Sequence, residues 1–566
     1  MRKHVKRGIC ITLAILLVAG LAACGGGANT GGTAATTQAP AATTAAAATT
    51  TAAATTAAAT TTAKADAPRP KISVAVMDFG SFPSDRGTMD DSDTTKWINE
   101  NSPVEIEFVA VDRHNIGSVY TVMLAAGNAP DIISDYSVEN FERFALEGLL
   151  MAVDDILPVH GPNIMRIVPK EVLDWGLYNG KQYAIPRIRD ETGVPNWMTF
   201  IRQDWLDNLN LDMPTTFDEL YDVLYAFTHN DPTGTGNKTY GYGAGQAETA
   251  TDGPGFGGFN RIRNTFGAMS DRWLPYGPDY SFDYVMITEN TKEAYKYCEK
   301  LYDDGLVDPE FFTKTGQENR TAFINGEHGT ISMQCGSINN DFLTAMLDVN
   351  PDANPVPLPV LEHPKFGFNT YLQERAAQMH VMFPTTCKNP PAAIQYLDWL
   401  VAEGWVYIVY GEEGKYYEMV NGRYVPIGDP TERGHALNGS GTYSIGYGYC
   451  RTPADIKLQL DHTRDTLTPV QIRTMELNMA AQATSMKYQF KWYLPTLHLG
   501  LESSLELTPQ LAKFAGDTYT EAVIDKNILV EDAYNKIVKE YEILGYKELR
   551  EEYNNRVKEL GLEYKP

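Results

Sequence analysis

This chain is poor in the motifs that mark common enzyme classes. It has no G-x-S-x-G elbow, no H-E-x-x-H, no Walker A loop and no kinase signature, so hydrolase, metalloprotease and nucleotide-dependent chemistry lack their usual sequence marks. One G-x-G-x-x-G occurs, from Gly253 to Gly258, but it follows a polar loop instead of a strand and contains Pro254; it reads as a Gly-rich loop. The ten histidines are scattered, none at metal-ligand spacing with a second His or Cys. Adjacent carboxylates such as Asp154-Asp155 and Glu412-Glu413 point apart in a strand or helix and do not converge as an acid/base pair. Six cysteines include no C-x-x-C, which excludes a zinc ribbon or a thioredoxin-like site. Basic charge is also short: 47 Lys and Arg stand against 72 Asp and Glu, a net charge of −25 that repels nucleic acid and anionic headgroups. No nucleic-acid partner is expected.

What is present begins at the N-terminus. Arg2, Lys3, Lys6 and Arg7 precede an apolar or small run from Ile9 to Ala23, too short to span a bilayer, which takes about 20 residues. The run closes on Leu21-Ala22-Ala23-Cys24, which resembles the bacterial lipobox, where cleavage precedes a Cys that then carries diacylglycerol. Two acyl chains anchor stably where one does not. Cys10 leaves with the leader, and Cys298, Cys335, Cys387 and Cys450 remain, with one disulfide or buried free thiols both open.

Residues 25–68 are almost entirely Ala, Thr and Gly, without the bulk to bury a core. They read as a tether with a reach of roughly 40 Å if flexible. The folded body starts at Lys71–Met77, an alternating β-branched strand running into Asp78-Phe79-Gly80. A helix around Thr94–Asn99 and a strand over Val104–Val109 complete βαβ spacing. A helix over Val119–Ala126, a stop at Gly127–Pro130 and a short strand at Asp131–Ser134 follow, and alternation of this kind predicts parallel sheet covered by helices. Beyond residue 200 helices dominate, over Asp218–Thr228, Lys292–Asp303, Pro391–Ala402 and nearly all of Thr508–Leu560.

Asp231 to Asn237 places oxygens at alternate positions with Gly236 sixth, which is how a calcium loop is built. Thr233 and Thr235 stand where Asp or Asn is usual, and Tyr242 occupies the twelfth position instead of a bidentate Glu. Most of the negative charge for a divalent cation is missing, so the segment reads as a Gly-rich turn and no cofactor or metal is expected.

Several segments in order resemble the family 1 extracellular solute-binding proteins, in particular the large lipoprotein branch beside oligosaccharide importers. They are Ala125–Ile133, Glu147–Leu150 with Asp154-Asp155, Tyr178–Pro186, Ile201–Leu206 with Pro214–Leu220, Phe323–Gly329, Cys387–Ala393 with Tyr396–Leu400, and Tyr410–Gly414. Each alone is weak; their order and spacing are specific. The resemblance implies an α/β, periplasmic-binding-protein-like type II fold, two α/β lobes joined by a hinge with a ligand cleft between them. It implies a signal peptide at 1–23, the lipidated Cys24 and tether at 24–68, and a first lobe in two parts, 69–190 and 379–450. Residues 191–378 then form the second lobe, and 451–566 a C-terminal helical region packing on the lobes, with the lobe it packs on left open. The chain is expected to cross between lobes near Pro186–Asn196 and again near Ala376–Phe383.

On that fold, loops at the carboxyl ends of strands face the cleft, which nominates Asp78, Phe79, Asp135 and Tyr136. The first crossing adds Arg187, Arg189 and Trp197, and Trp273, Tyr276, Gly336 and Ser337 are candidates from the second lobe. Arg forks and carboxylates bind sugar hydroxyls two at a time, and Trp and Tyr stack on the apolar faces of sugar rings. The expectation is a non-catalytic, monomeric, membrane-anchored binding protein that hands an oligosaccharide to the transmembrane subunits of an ABC permease. A peptide or other polar ligand, or an exported carbohydrate-active enzyme, are the alternatives.

Overall fold

The structure is a computed structural model that describes residues 68–78, 88–188, 197–244, 259–268, 273–359, 361–363, 367–368, 371–372, 377–428, 453–487, 489–490 and 499–563. Cys24, the tether, Phe79, Arg189, the Gly253–Gly258 loop, Cys450 and the side chain of Trp197 lie outside the described residues.

The first lobe is built as its sequence pattern requires. Strand β1 (Lys71–Asp78), helix α1 (Asp93–Asn101) and strand β2 (Glu105–Asp112) form a βαβ unit in which β1 and β2 pair in parallel, Lys71 opposite Glu105 through Asp78 opposite Asp112. Ser92 caps α1 and exchanges hydrogen bonds with Thr95, satisfying donors the first turn leaves free. Helix α2 (Ile116–Ala125) leads to β3 (Ile133–Asp135), and α3 (Val138–Leu146) to β4 (Ala184–Ile188). Between those last two, Asn179 and Gly180 take positive φ of 48° and 76° in the tight turn joining Leu177-Tyr178 to Lys181-Gln182.

After β4 the chain enters the second lobe. Strand β5 (Trp197–Arg202) lies between β8 (Thr330–Gln334) and β9 (Pro355–Pro357), antiparallel to both. The elements between are α4 (Gln203–Leu209), α5 (Phe217–His229), the hairpin β6 (Trp273–Tyr276) and β7 (Ser281–Tyr284), and α6 (Glu289–Asp303). In α5, Thr216 is the cap, with Glu219 reaching back to the Thr216 and Thr215 amides. Helix α7 (Asn340–Val349) follows β8.

The return strand β10 (Ala377–Met382) inserts antiparallel between β3 and β4, with His380 opposite both Asp135 and Pro186. Helix α8 (Pro390–Trp399) and the hairpin β11 (Tyr417–Val420) with β12 (Arg423–Pro426) complete this lobe. Helices α9 (Pro453–Thr463), α10 (Pro469–Lys487), α11 (Glu502–Ile524), α12 (Val530–Ile543) and α13 (Tyr546–Glu559) finish the chain. The Thr508–Leu560 stretch is therefore three helices broken at Asp525 and Gly545, where the backbone leaves the right-handed helical region.

Among the described residues three hydrophobic clusters divide the body. One joins residues 72–185 with 379–408, among them Val74, Phe141, Trp175, Val381 and Ile394. A second joins 201–361 with 499–557, so α11–α13 pack on the second lobe, and a third puts Leu477 and Ala481 of α10 against Met198, Phe200 and Phe342. Several family-like motifs turn out to be fasteners. Asp131 accepts hydrogen bonds from the Ser73 amide and hydroxyl (2.8 and 2.9 Å) and from the Lys388 amide (2.6 Å), tying β1 to the loop before α8. Arg202 and Asp204 form a buried, two-pronged ion pair, with Arg202 also lying over the Trp205 ring. Cys298 and Cys387 carry free thiols.

Candidate ligand-binding site

Strands β1, β2, β3 and β4 all run the same way: β1 pairs in parallel with β2, bridges in parallel from Val74 to Ile132, and β3 and β4 are both antiparallel to β10. Their carboxyl ends therefore lie along one edge of one sheet. That edge gathers Asp78, Asp135, Tyr136 and Arg187 from three separate stretches of sequence. Both described stretches of crossing meet there as well, since Ile188 at the end of β4 lies opposite Ala377 at the start of β10. A binding edge and a hinge coincide because β10 enters where its neighbours leave.

The groups on this edge are held firmly. Asp135 is buried and accepts from the Ser137 amide (3.0 Å) and Asn140 Nδ2 (2.8 Å). Burial raises its pKa, and these hydrogen bonds together with the nearby Arg113 pull it part of the way back. Arg113 sits over the Tyr136 ring, 4.7 Å from its centroid. Asp78 is half-buried at the end of β1, and Arg187 is almost fully buried on β4 beside Met379. Sequence reasoning missed Arg113. The strand-end rule that nominated Asp78 finds it once it is applied to β2 as well.

The second lobe offers its own edge. Trp197, the first residue of β5, lies opposite Gln334, the last of β8, and Gly336 and Ser337 follow directly. Gly336 is exposed with open space around its Cα, and Ser337 Oγ accepts from Arg320 at 3.4 Å. Trp197, Gly336 and Ser337 are thus brought together, and Gln334 joins them. Trp273 and Tyr276 occupy a different place, on the β6–β7 hairpin. The Trp273 ring stacks on Tyr553 (4.3 Å between centroids) and lies near Tyr546 (5.7 Å), within the core of the second lobe. Tyr553 is in turn within electrostatic reach of Glu142 on α3 of the first lobe. Tyr276 is half-buried, its hydroxyl accepting from the Glu289 amide at the start of α6, and burial raises its pKa.

A cavity of about 590 Å³ opens between the β11–β12 hairpin and the corner of α9 and α10, lined by Glu418, His462, Thr466, Thr468 and Gln471 among others. His462 Nε2 and Glu418 Oε2 meet there at 2.9 Å. Among the described residues no cluster of three His, Cys, Asp or Glu is placed to hold a metal. The Asp231 carboxylate is engaged by its own loop, accepting from the Gly236 amide (2.9 Å), the Thr235 amide (3.2 Å) and Thr233 Oγ1 (3.0 Å), which lowers its pKa. No described helix is long and apolar enough to cross a membrane.

Residues 91–407, more than half of the chain, match the profile of a family described as bacterial extracellular solute-binding protein. The chain belongs to that family. Among extracellular solute-binding proteins it is similar to the polygalacturonan/rhamnogalacturonan-binding protein YtcQ of Bacillus subtilis (strain 168), 30% identical over 211 residues, which are 36% of this chain and 39% of the relative. It is also similar to the fructooligosaccharide ABC transporter substrate-binding protein FusA of Streptococcus pneumoniae serotype 4, 29% identical over 202 residues, 33% of this chain and 36% of FusA. The matched stretches span well under half the length of either relative. Two solved structures share the fold along almost their whole length. FusA in complex with kestose aligns with a TM-score of 0.65 at 17% identity, covering 87% of this chain and 99% of that one. The alginate-binding protein AlgQ2 without calcium ion aligns at 0.64 and 18%, covering 86% and 98%. The fold class is that of the periplasmic-binding-protein-like α/β proteins.

Proposed function

We propose that this solute-binding protein captures an oligosaccharide outside the cell membrane and delivers it, chemically unchanged, to the transmembrane subunits of an ABC importer. The observation that carries the reading is the coincidence of hinge and polar edge: β4 and β10 cross between lobes where Asp78, Asp135, Tyr136 and Arg187 gather. The kestose bound to FusA and the polysaccharides in the name of YtcQ support a saccharide ligand. In this reading Asp78, Phe79, Asp135, Tyr136, Arg187 and Arg189 hold the sugar from the first lobe. Trp197, Gly336 and Ser337 act from the second, and the lobes close over it. Carboxylates and guanidinium groups take hydroxyls in pairs while aromatic faces cover the ring. Cys24, lipidated after loss of residues 1–23, anchors the protein on the outer face of the membrane, with residues 25–68 as tether. The protein acts as a monomer and without a cofactor.

A thermal-shift screen against oligosaccharides and peptides tests this, because a ligand at 100 times its Kd adds about 2.7 kcal/mol to the folded state. A rise in Tm with sugars and none with peptides is expected. A response confined to peptides refutes the reading.

A further inference from the structure

Helix α10 carries an odd distribution of polar groups. At about 100° per residue, Val470, Leu477 and Ala481 fall on one side and pack into the core with Met198, Phe200 and Phe342. The adjoining sector, at helical spacing, holds Gln471, Thr474, Asn478 and Gln482. This flank is enclosed. Thr474 is only 5% exposed, and Thr474 Oγ1, Asn478 Oδ1 and Gln482 Oε1 are each cut off from solvent with no hydrogen-bond partner.

Nearly all buried polar atoms in proteins are paired, so three unpaired oxygens in one row are unfavourable for the fold taken alone. Arg473 on this helix does not serve them: it turns the other way and donates to Ala353 O (2.7 Å) and Asn354 Oδ1 (3.0 Å). The location is equally particular. Gln471, at the start of the row, lines the cavity beside the β11–β12 hairpin of the first lobe. At the other end α10 leads to Gln489-Phe490, which pairs with Tyr371-Leu372 just before the return crossing. The row thus runs from one lobe to the hinge.

We infer that this flank of α10 is a ligand-reading wall, on which Thr474, Asn478 and Gln482 accept hydrogen bonds from hydroxyls of a neutral stretch of saccharide. The inference rests on the proposed function and adds a specificity to it. The unpaired oxygens pair with hydroxyl donors, whereas a carboxylate brings further acceptors to them and, with Arg473 engaged elsewhere, a charge that this helix flank does not compensate. The ligand reaches the row when the lobes separate and satisfies it when they close.

The test uses the full chain and calorimetric titration with kestose, maltotriose, xylotriose, mannotriose, trigalacturonate and an alginate trimer. The wild type is expected to bind one of the neutral sugars at least tenfold more tightly than either acid. Asn478→Ala, Gln482→Ala and Thr474→Val are each expected to weaken that binding about tenfold or more, while Thr474→Ser stays within twofold. The Tm of ligand-free Thr474→Val should be unchanged or higher, since an isosteric methyl replaces an unpaired oxygen. Variants that keep wild-type affinity, that lose it only in step with a falling Tm, or a wild type that prefers the acids, overturn the wall and leave the oligosaccharide reading standing. Binding of no sugar in the panel overturns both.

Discussion

His328 makes the second lobe sensitive to acid in a way that can be worked from its surroundings. The ring is fully buried just before β8, its Nδ1 is 2.9 Å from Asn319 Oδ1, and its Nε2 has no partner. Burial, and secondarily the positive charge of Lys314, lower its pKa from 6.5 to about 4, against a smaller opposing pull from Asp308. Above pH 6.5 the ring is neutral in both the folded and unfolded chain, and the full stability is present. As the pH falls from 6.5 towards 4 the unfolded chain takes up a proton that the folded one refuses, so stability is lost across that window. At pH 4.5 the loss is about 2.5 kcal/mol, from about 1.36 kcal/mol per unit of pKa separation. Urea unfolding of wild type and His328→Gln, which keeps a polar partner for Asn319, measures it at pH 7.5 and 4.5. Other titrating groups, Asp135 included, are common to both proteins and cancel in the difference. The stability difference between the two proteins should swing by about 2.5 kcal/mol in favour of the variant at the lower pH. A difference flat to within about 0.5 kcal/mol refutes a buried, neutral His328.

Asp204→Ala strands Arg202 as a buried, unpaired charge and should cost about 3–5 kcal/mol in urea unfolding, whereas Arg202→Met with Asp204→Leu recovers most of it; a loss under about 1 kcal/mol would show the pair to be dispensable. Cys24→Ser should leave the protein exported but without label from a palmitate analogue, and persistent label would remove the anchor assignment. Exchange of calcium for EDTA should leave the Tm within about 1 °C, because the Asp231 carboxylate is engaged by its own loop. A gain of several degrees with calcium would mean that the loop opens to take the ion.

The local chain was legible wherever one periodicity dominated. Alternating β-branched residues mark Lys71–Met77, and the observed strand is Lys71–Asp78. The Thr-Thr-Phe-Asp-Glu start marks the α5 cap because a hydroxyl followed three residues later by Glu satisfies free amides from within a few residues. Helices such as Lys292–Asp303 were visible by their apolar stripe, one turn short of the observed Glu289–Asp303. Residues 453–487 were read only as part of a C-terminal helical region, without their separate helices, because a flank carrying Gln471, Thr474, Asn478 and Gln482 looks like a solvated face.

By itself, then, the sequence determined what depends on neighbours within a turn or two: strand and helix stretches, caps, the Asn179-Gly180 turn, and the family-like order of motifs. Only the tertiary structure decided that Asp131 fastens Ser73 to Lys388, and that Trp273 is stacked on Tyr553 280 residues away in the sequence. The insertion of β10 between β3 and β4, which sets Arg187 on the edge with Asp135, was likewise beyond local reading. Such pairings carry no local signal. They are selected by which surfaces can be buried together once the whole chain is present, and the enclosure of an oxygen on α10 is a property of everything packed around it.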